Sequence, residues 1–400
     1  MAEAAVAAAT PERVAILRDP KWRAVIFQFV ALVLVLALGW YLVENTRANM
    51  DKRNIGFGLD FLGTSAGFDI IQTLIPYSSN SSYGQAFFVS LLNTLLVAAI
   101  GVVFATLFGF IMGVARLSSN WLVAKLAAVY VETFRNIPLL LQIFFWYHAV
   151  LKTLPGPRES LSLFDMFFLN NRGIYLPGPV PEASFWIVAL LFIGGLITMF
   201  VWKKREDKRQ ELTGQRRDLL GIGLGMIFGL PILAFLLIWA FAGTPLKFDM
   251  PALRGFNFGG GVEIIPELMS LVIALSVYTG AFIAENVRSG IQAVSHGQTE
   301  AAFALGVRPG PTMRLIIIPQ ALRVIIPPLT SQYLNLTKNS SLAVAIAYPD
   351  LVAVFMGTTL NQTGRAVEIV GMTMGVYLLI SLLTSFVMNW YNARVALVER

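Results

Sequence analysis

Five ionisable residues lie in, or at the end of, long apolar runs: Glu132, Arg135, Glu285, Arg288 and Lys338. Charged side chains there are costly and mark functional positions by default. Glu132 and Arg135 are three residues apart, a spacing that lets them pair on one helix face. Such a pair would anchor a kink before Pro138. Lys338 sits in a polar stretch, Asn335-Leu-Thr-Lys-Asn-Ser-Ser341, inside an otherwise apolar run. Polar groups at that depth must face protein or a water-filled path. The stretch reads equally as helix–helix glue and as the lining of such a path. Other chemistries have no residues to support them. There is no Cys, and His148 and His296 are the only histidines, so thiol catalysis and His-rich metal sites are excluded. No GxxxxGK[ST] loop is present to cradle nucleotide phosphates, and no HExxH or GxSxG appears.

The elements that must position these residues follow from composition. Of 400 residues, 56% are hydrophobic and 13% charged, with mean hydropathy +0.69. A soluble domain carries about 25% charged residues, so a water-soluble globule is excluded. Eight spans are read, at about Ala24–Val43, Ala86–Val114, Leu122–Val150, Phe185–Trp202, Leu219–Ala242, Ile264–Ala284, Leu322–Tyr348 and Val367–Met388. The runs are too long and continuous for barrel strands. The first follows Arg13, Arg18, Lys21 and Arg23, yet is too long for a signal peptide and lacks a small-residue cleavage site. It is read as an uncleaved helix.

With both termini placed in the cytoplasm, the inside segments hold 19 Lys and Arg residues and the outside loops 9. Seven of the inside ones lie in Lys203–Asp218, which is expected to be a basic loop. This bias supports the orientation and accounts for the net charge of +7 without nucleic acid. The outside stretches Glu44–Gln85 and Lys152–Ser184 are rich in Gly, Pro, Ser and Asn and are expected to be turns and irregular lids. No internal repeat is evident.

The inside loop Glu285–Arg323 is the most informative segment. Ser295 and Gln298 have capping-box spacing, predicting a helix from near Gly297. Thr299–Leu305 is mostly good helix formers, Gly306 suits a stop, and Pro309 and Pro311 suit a new start. A short helix, a tight turn and a second short helix are expected, with Ala301, Ala302 and Gly306 small enough for close approach by a partner.

Glu300-Ala-Ala302, three residues, Gly306, nine residues and Ile316-x-Ile-Pro319 together resemble the EAA loop of ABC-importer permeases, with Ile318 in place of the usual Leu. Gly280-Ala-Phe-Ile-Ala-Glu285-Asn-Val-Arg-Ser-Gly-Ile, Tyr130-Val-Glu-Thr-Phe-Arg135-Asn-Ile-Pro138 and Leu336-Thr-Lys338-Asn-Ser-Ser-Leu342 are similar to the polar amino-acid, histidine/glutamine permease branch. Asn136-Ile-Pro-Leu-Leu-Leu-Gln-Ile-Phe-Phe-Trp-Tyr147 resembles the general L-amino-acid permeases within it. The resemblance implies an all-α polytopic membrane protein with a five-helix type I importer core. On that basis residues 1–23 form a cytoplasmic segment and 24–85 a first helix with a long outer loop. The permease domain is 86–388, with its core in 86–150 and 264–388 and additions in 151–263. Residues 285–323 form the coupling loop and 389–400 a cytoplasmic tail.

The resemblance further implies that Glu300, Ala301, Ala302, Gly306, Ile316 and Pro319 couple to a cytoplasmic ATPase dimer, which would bind the ATP and Mg. This chain would bind no cofactor and catalyse nothing. Asn335, Thr337, Lys338, Asn339 and Ser340 become candidates for the translocation path, and Glu132 and Arg135 for a gate or structural ion pair. The expected partners are a second, related permease, a periplasmic amino-acid-binding protein and lipid of the bacterial inner membrane. The alternative is an ion-coupled secondary transporter, which would need midplane carboxylates and paired broken helices. A lipid-modifying enzyme, using Glu285, Arg288 and His296, is a further reading.

Overall fold

The computed structural model describes residues 20–52, 58–215 and 219–395. Arg13, Arg18, Arg53, Arg216, Arg217 and Arg400 lie outside them, as do most of the segment 1–23 and the end of the tail. Seven helices among the described residues are long and apolar enough to cross a membrane. They are α1 (Pro20–Lys52), α2 (Tyr83–Ala115), α5 (Phe185–Thr213), α6 (Gly221–Ala242), α7 (Pro266–Gln292), α9 (Pro309–Ile346) and α11 (Ala366–Val395).

The span expected over Leu122–Val150 is not one helix. It divides into α3 (Trp121–Asn136) and the shorter apolar helix α4 (Leu139–Leu151). The proline ring disfavours helical geometry in the residue before it. Ile137 accordingly adopts φ −93° and ψ 126°, and α3 stops there. Carbonyls freed by such a break must find new donors. The buried Gln142 supplies them: its Nε2 donates to the carbonyls of Phe134 (3.0 Å) and Ile137 (2.9 Å).

The centre of the bundle is α2 against α7, flanked by α3, α4 and α9. In lipid there is no hydrophobic drive between helices, so close backbone approach carries the association. Gly109 and Gly113 make it possible. A Cβ on Gly109 would lie 2.6 Å from Ile283 Cβ, and one on Gly113 2.7 Å from the Ala284 carbonyl oxygen. Around this seam Val97, Ala105, Leu271, Leu275, Val287 and Leu336 are buried in one core cluster. A second cluster joins the α2 start to α10 (Val352–Thr359), with the Phe61 ring 6.1 Å from Tyr83 and 6.3 Å from Phe355. Part of the segment expected as an irregular lid is therefore packed.

Two further expectations change. Lys152–Ser184 contains strands. Antiparallel β1 (Leu161–Leu163), β2 (Phe167–Asn170) and β3 (Gly173–Leu176) join β8 (Val262–Ile264) in the order β1-β2-β3-β8. The pair β4 (Gly178–Pro181) and β5 (Leu246–Asp249) leads to and from α5 and α6. The hairpin of β6 (Ala252–Arg254) and β7 (Asn257–Gly259) sets Phe258 against Phe168 (4.5 Å) and Tyr175 (4.9 Å). Buried Tyr175 donates to Glu263 Oε1 at 2.9 Å, and burial, with that carboxylate, pushes its phenol up to about 12. Phe168 and Tyr175 are direct cross-strand partners, so their side chains share one face of the sheet. The basic stretch from Lys203 is not a loop either. α5 continues through it to Thr213 as one helix, with Glu206 paired to Arg209 one turn on (3.6 Å). α5 and α6 pack chiefly on each other.

Candidate functional site

The short helix α8 (His296–Ala304) starts at Ser295, close to the predicted position. The Ser295 side chain makes no capping bond, however; Gln298 N–H donates to the Ser295 carbonyl at 3.0 Å instead. The end of α8 is a Schellman turn. Val307 N–H donates to Ala302 O (3.0 Å) and Gly306 N–H to Phe303 O (2.9 Å), while Gly306 takes φ +74°. An L side chain is strained in that conformation, so the backbone favours glycine. No atom lies within 4 Å of where its Cβ would be.

Glu300, Ala301 and Gly306 are exposed, whereas Ala302 is buried and holds the helix to the bundle. Beside them Leu305 is 83% exposed. The expected second short helix is not separate. Pro309–Thr312 runs through a widened turn, Met313–Ile317, into Ile318–Asn339, so Ile316 and Pro319 belong to the base of α9. Ile316 is half-buried there and Pro319 exposed. A rigid α9 thus begins directly at the α8 turn.

Under α8 the ends of α2 and α7 are tied by charge. Glu285 accepts from Arg116 and from Arg288, whose Nε lies 3.2 Å from both carboxylate oxygens. Arg288 continues to Gln292. Glu132 and Arg135 do not pair. Arg135 stacks over the Phe282 ring at 5.1 Å, and the Glu132 carbonyl accepts from Asn136 Nδ2 at 2.7 Å. The helix break after Asn136 comes from Pro138 and needs no ion pair.

The polar run on α9 divides between two faces. Thr337 and Ser340 are buried, and their hydroxyls donate to the carbonyls of Tyr333 (2.9 Å) and Thr337 (2.7 Å). Asn335 and Lys338 are exposed, and Asn339 is half-buried. Lys338 lines a groove of about 560 Å³ together with Ser341, Met356, Thr373 and Tyr377.

The family model for the binding-protein-dependent transport system inner membrane component matches residues 215–397. The chain is 55% identical over 383 residues to YhdX of Escherichia coli (strain K12), provisionally named an amino-acid ABC transporter permease protein, covering 96% of each. It is 50% identical to the general L-amino acid transport system permease protein AapQ of Rhizobium johnstonii, covering 96% of this chain and 94% of that one. The chain belongs to the amino-acid ABC-importer permeases. It is 44% identical to the glutamate/glutamine/aspartate/asparagine transport system permease protein BztB of Rhodobacter capsulatus, covering 96% of both.

In this permease the nucleotide chemistry of the importer belongs to another chain, in keeping with the missing phosphate loop. Sequence reasoning paired Glu132 with Arg135 and missed three things. Arg116 closes onto Glu285, Gln142 bridges the helix break, and Tyr377 lies across the groove from Lys338. Gln142, four residues after Pro138 in an apolar run, was the one legible signal, because a buried amide there must satisfy something. Arg116 reaches Glu285, and Tyr377 reaches the groove of Lys338, only through helix packing.

Proposed function

We propose that this permease, paired with a second related one, forms the path by which an ATP-driven importer of the bacterial inner membrane carries L-amino acids. The α8 end faces the cytoplasm, with both termini there. Glu300, Ala301, Ala302 and Gly306, on the base formed by Ile316 and Pro319, dock a cytoplasmic ATPase dimer that holds ATP and Mg. A periplasmic binding protein delivers substrate at the β-sheet end.

The observation that carries the reading is the division of the α9 polar run. Thr337 and Ser340 are spent on their own helix backbone, whereas Asn335 and Lys338 point away from the packed core. An exposed ammonium on a membrane-spanning helix needs water or a polar partner. A path between two permeases gives it one, and an amino acid crossing there keeps contacts that replace its hydration. The names of the relatives supply the substrate class.

The test is labelled L-amino-acid uptake by vesicles holding the complete transporter. Uptake should require ATP and persist when the proton gradient is collapsed at constant ATP. Loss of uptake on uncoupling alone would overturn the reading.

A further inference from the structure

A cleft of about 640 Å³ lies between α8 and the ends of the spans above it. Its walls are mostly apolar, with Val114 from α2, Val123 from α3, Ile291 from α7 and Met313 from α9, and they also carry Ser118 and Gln292. His296 and Thr299 of α8 stand at its edge. The volume falls in the range of small-molecule sites, about 300–1,000 Å³. Polar groups are few in the cleft, so water over the apolar part of the wall would lack partners. The α3 wall shows what is available to fill it. Val123 itself is 41% exposed, and Trp121, Leu122 and Leu126 beside it are exposed. Trp at a span end is the side chain of a membrane–water boundary. The bilayer-facing surface of α3 therefore runs directly into the cleft.

We infer that the cleft is a lipid site, occupied by an acyl chain from the leaflet on the α8 side. The chain lies beneath α8 and fills the space between that helix and the spans. The inference rests on the coupling reading only for its consequence: the seat of the docking helix is then part lipid. Its headgroup would lie at the edge formed by His296 and Thr299, and apolar walls make recognition a matter of the chain rather than the headgroup.

The experiment uses the complete transporter in nanodiscs of phosphatidylethanolamine doped with a phosphatidylcholine that carries a diazirine on one acyl chain. After photolysis, labelled peptides are mapped. Label is expected on Ser118–Val123 and on Ile291–Thr299, as well as on α1, where Leu32–Leu36 are all exposed apolar side chains. Val123→Trp should lower the cleft label about tenfold, as expected for displacing roughly two methylenes, and leave the α1 label unchanged. Val294→Phe, at another lining position, makes the same test should Val123→Trp fail to assemble. Absence of cleft label while α1 is labelled, or label undiminished in both variants, would overturn the proposal. Label present only when the ATPase is removed would also overturn it, by making the cleft a protein seat. Labelling is read independently of docking, so a failure of the coupling reading would leave it standing.

Discussion

Replacing Gly306 tests whether docking depends on the backbone of one turn. The residue takes φ +74°, and no atom lies within 4 Å of its missing Cβ. A substitution there therefore meets a conformational penalty and no clash. For an L residue in left-handed geometry that penalty is roughly 1–2 kcal/mol. Two hydrogen bonds hold the turn, Val307 to Ala302 and Gly306 to Phe303. If the docking-competent loop falls in population by the full penalty, affinity for the ATPase falls about 5- to 30-fold. Asn tolerates left-handed geometry, Ala less so and a β-branched residue least. The expected order of loss is Gly306→Asn, then Ala, then Val. Affinity of the purified ATPase for the permease complex in nanodiscs is the measurement, with thermal unfolding as the control for global stability. Equal losses in all three variants would refute the turn argument, as would an unaffected Gly306→Ala beside a dead Gly306→Asn. Either result would make side-chain size on the docking surface the controlling factor.

Three further outcomes follow from the packing. Gln142→Leu leaves the carbonyls of Phe134 and Ile137 without their donor and should cost about 1–3 kcal/mol, seen as a lower unfolding temperature in detergent. Gly109→Leu cannot be accommodated against Ile283 and should prevent a stable bundle; Gly109→Ala should already cost about 1–3 kcal/mol by overpacking, read as loss of monodisperse protein on heating. Lys338→Gln should depress uptake while the complex assembles normally, whereas Ser340→Ala should leave both near wild type; a Lys338 variant that fails only in assembly would make that residue structural.

The sequence was most readable where one residue type has one physical meaning. Pro138 marked a break, Gly306 a stop, and long apolar runs the spans. The α8 turn could be located from Glu300–Gly306 alone because its hydrogen bonds are local. The strands of Lys152–Ser184 were missed because each is three or four residues long and takes its stability from partners distant in sequence, such as β3 with β8. The helical continuation through Lys203–Thr213 was missed because charge was read as loop. Lys and Arg are good helix formers, and nothing in Lys203–Glu211 breaks a helix. The Glu132–Arg135 spacing was compatible with a pair, yet spacing cannot tell whether another partner is nearer. Phe282 was, and it comes from a different helix.

The register of β3 against β8 bears on how this permease can be re-engineered. Leu176 and Val262 are direct partners on adjacent antiparallel strands, so the polypeptide leaves the sheet and returns to it at the same place. Everything between them, including both α5 and α6, is a detour whose two ends already touch. A two-residue Asn-Gly connection could splice Leu176 to Val262 as an ordinary hairpin. The excised form would lose the Phe258 stack on Tyr175, and a polar replacement at Phe168 would be the natural companion change. The same site would accept a different membrane hairpin as cargo, which makes the sheet a splice point for building permeases of new size on an unaltered bundle.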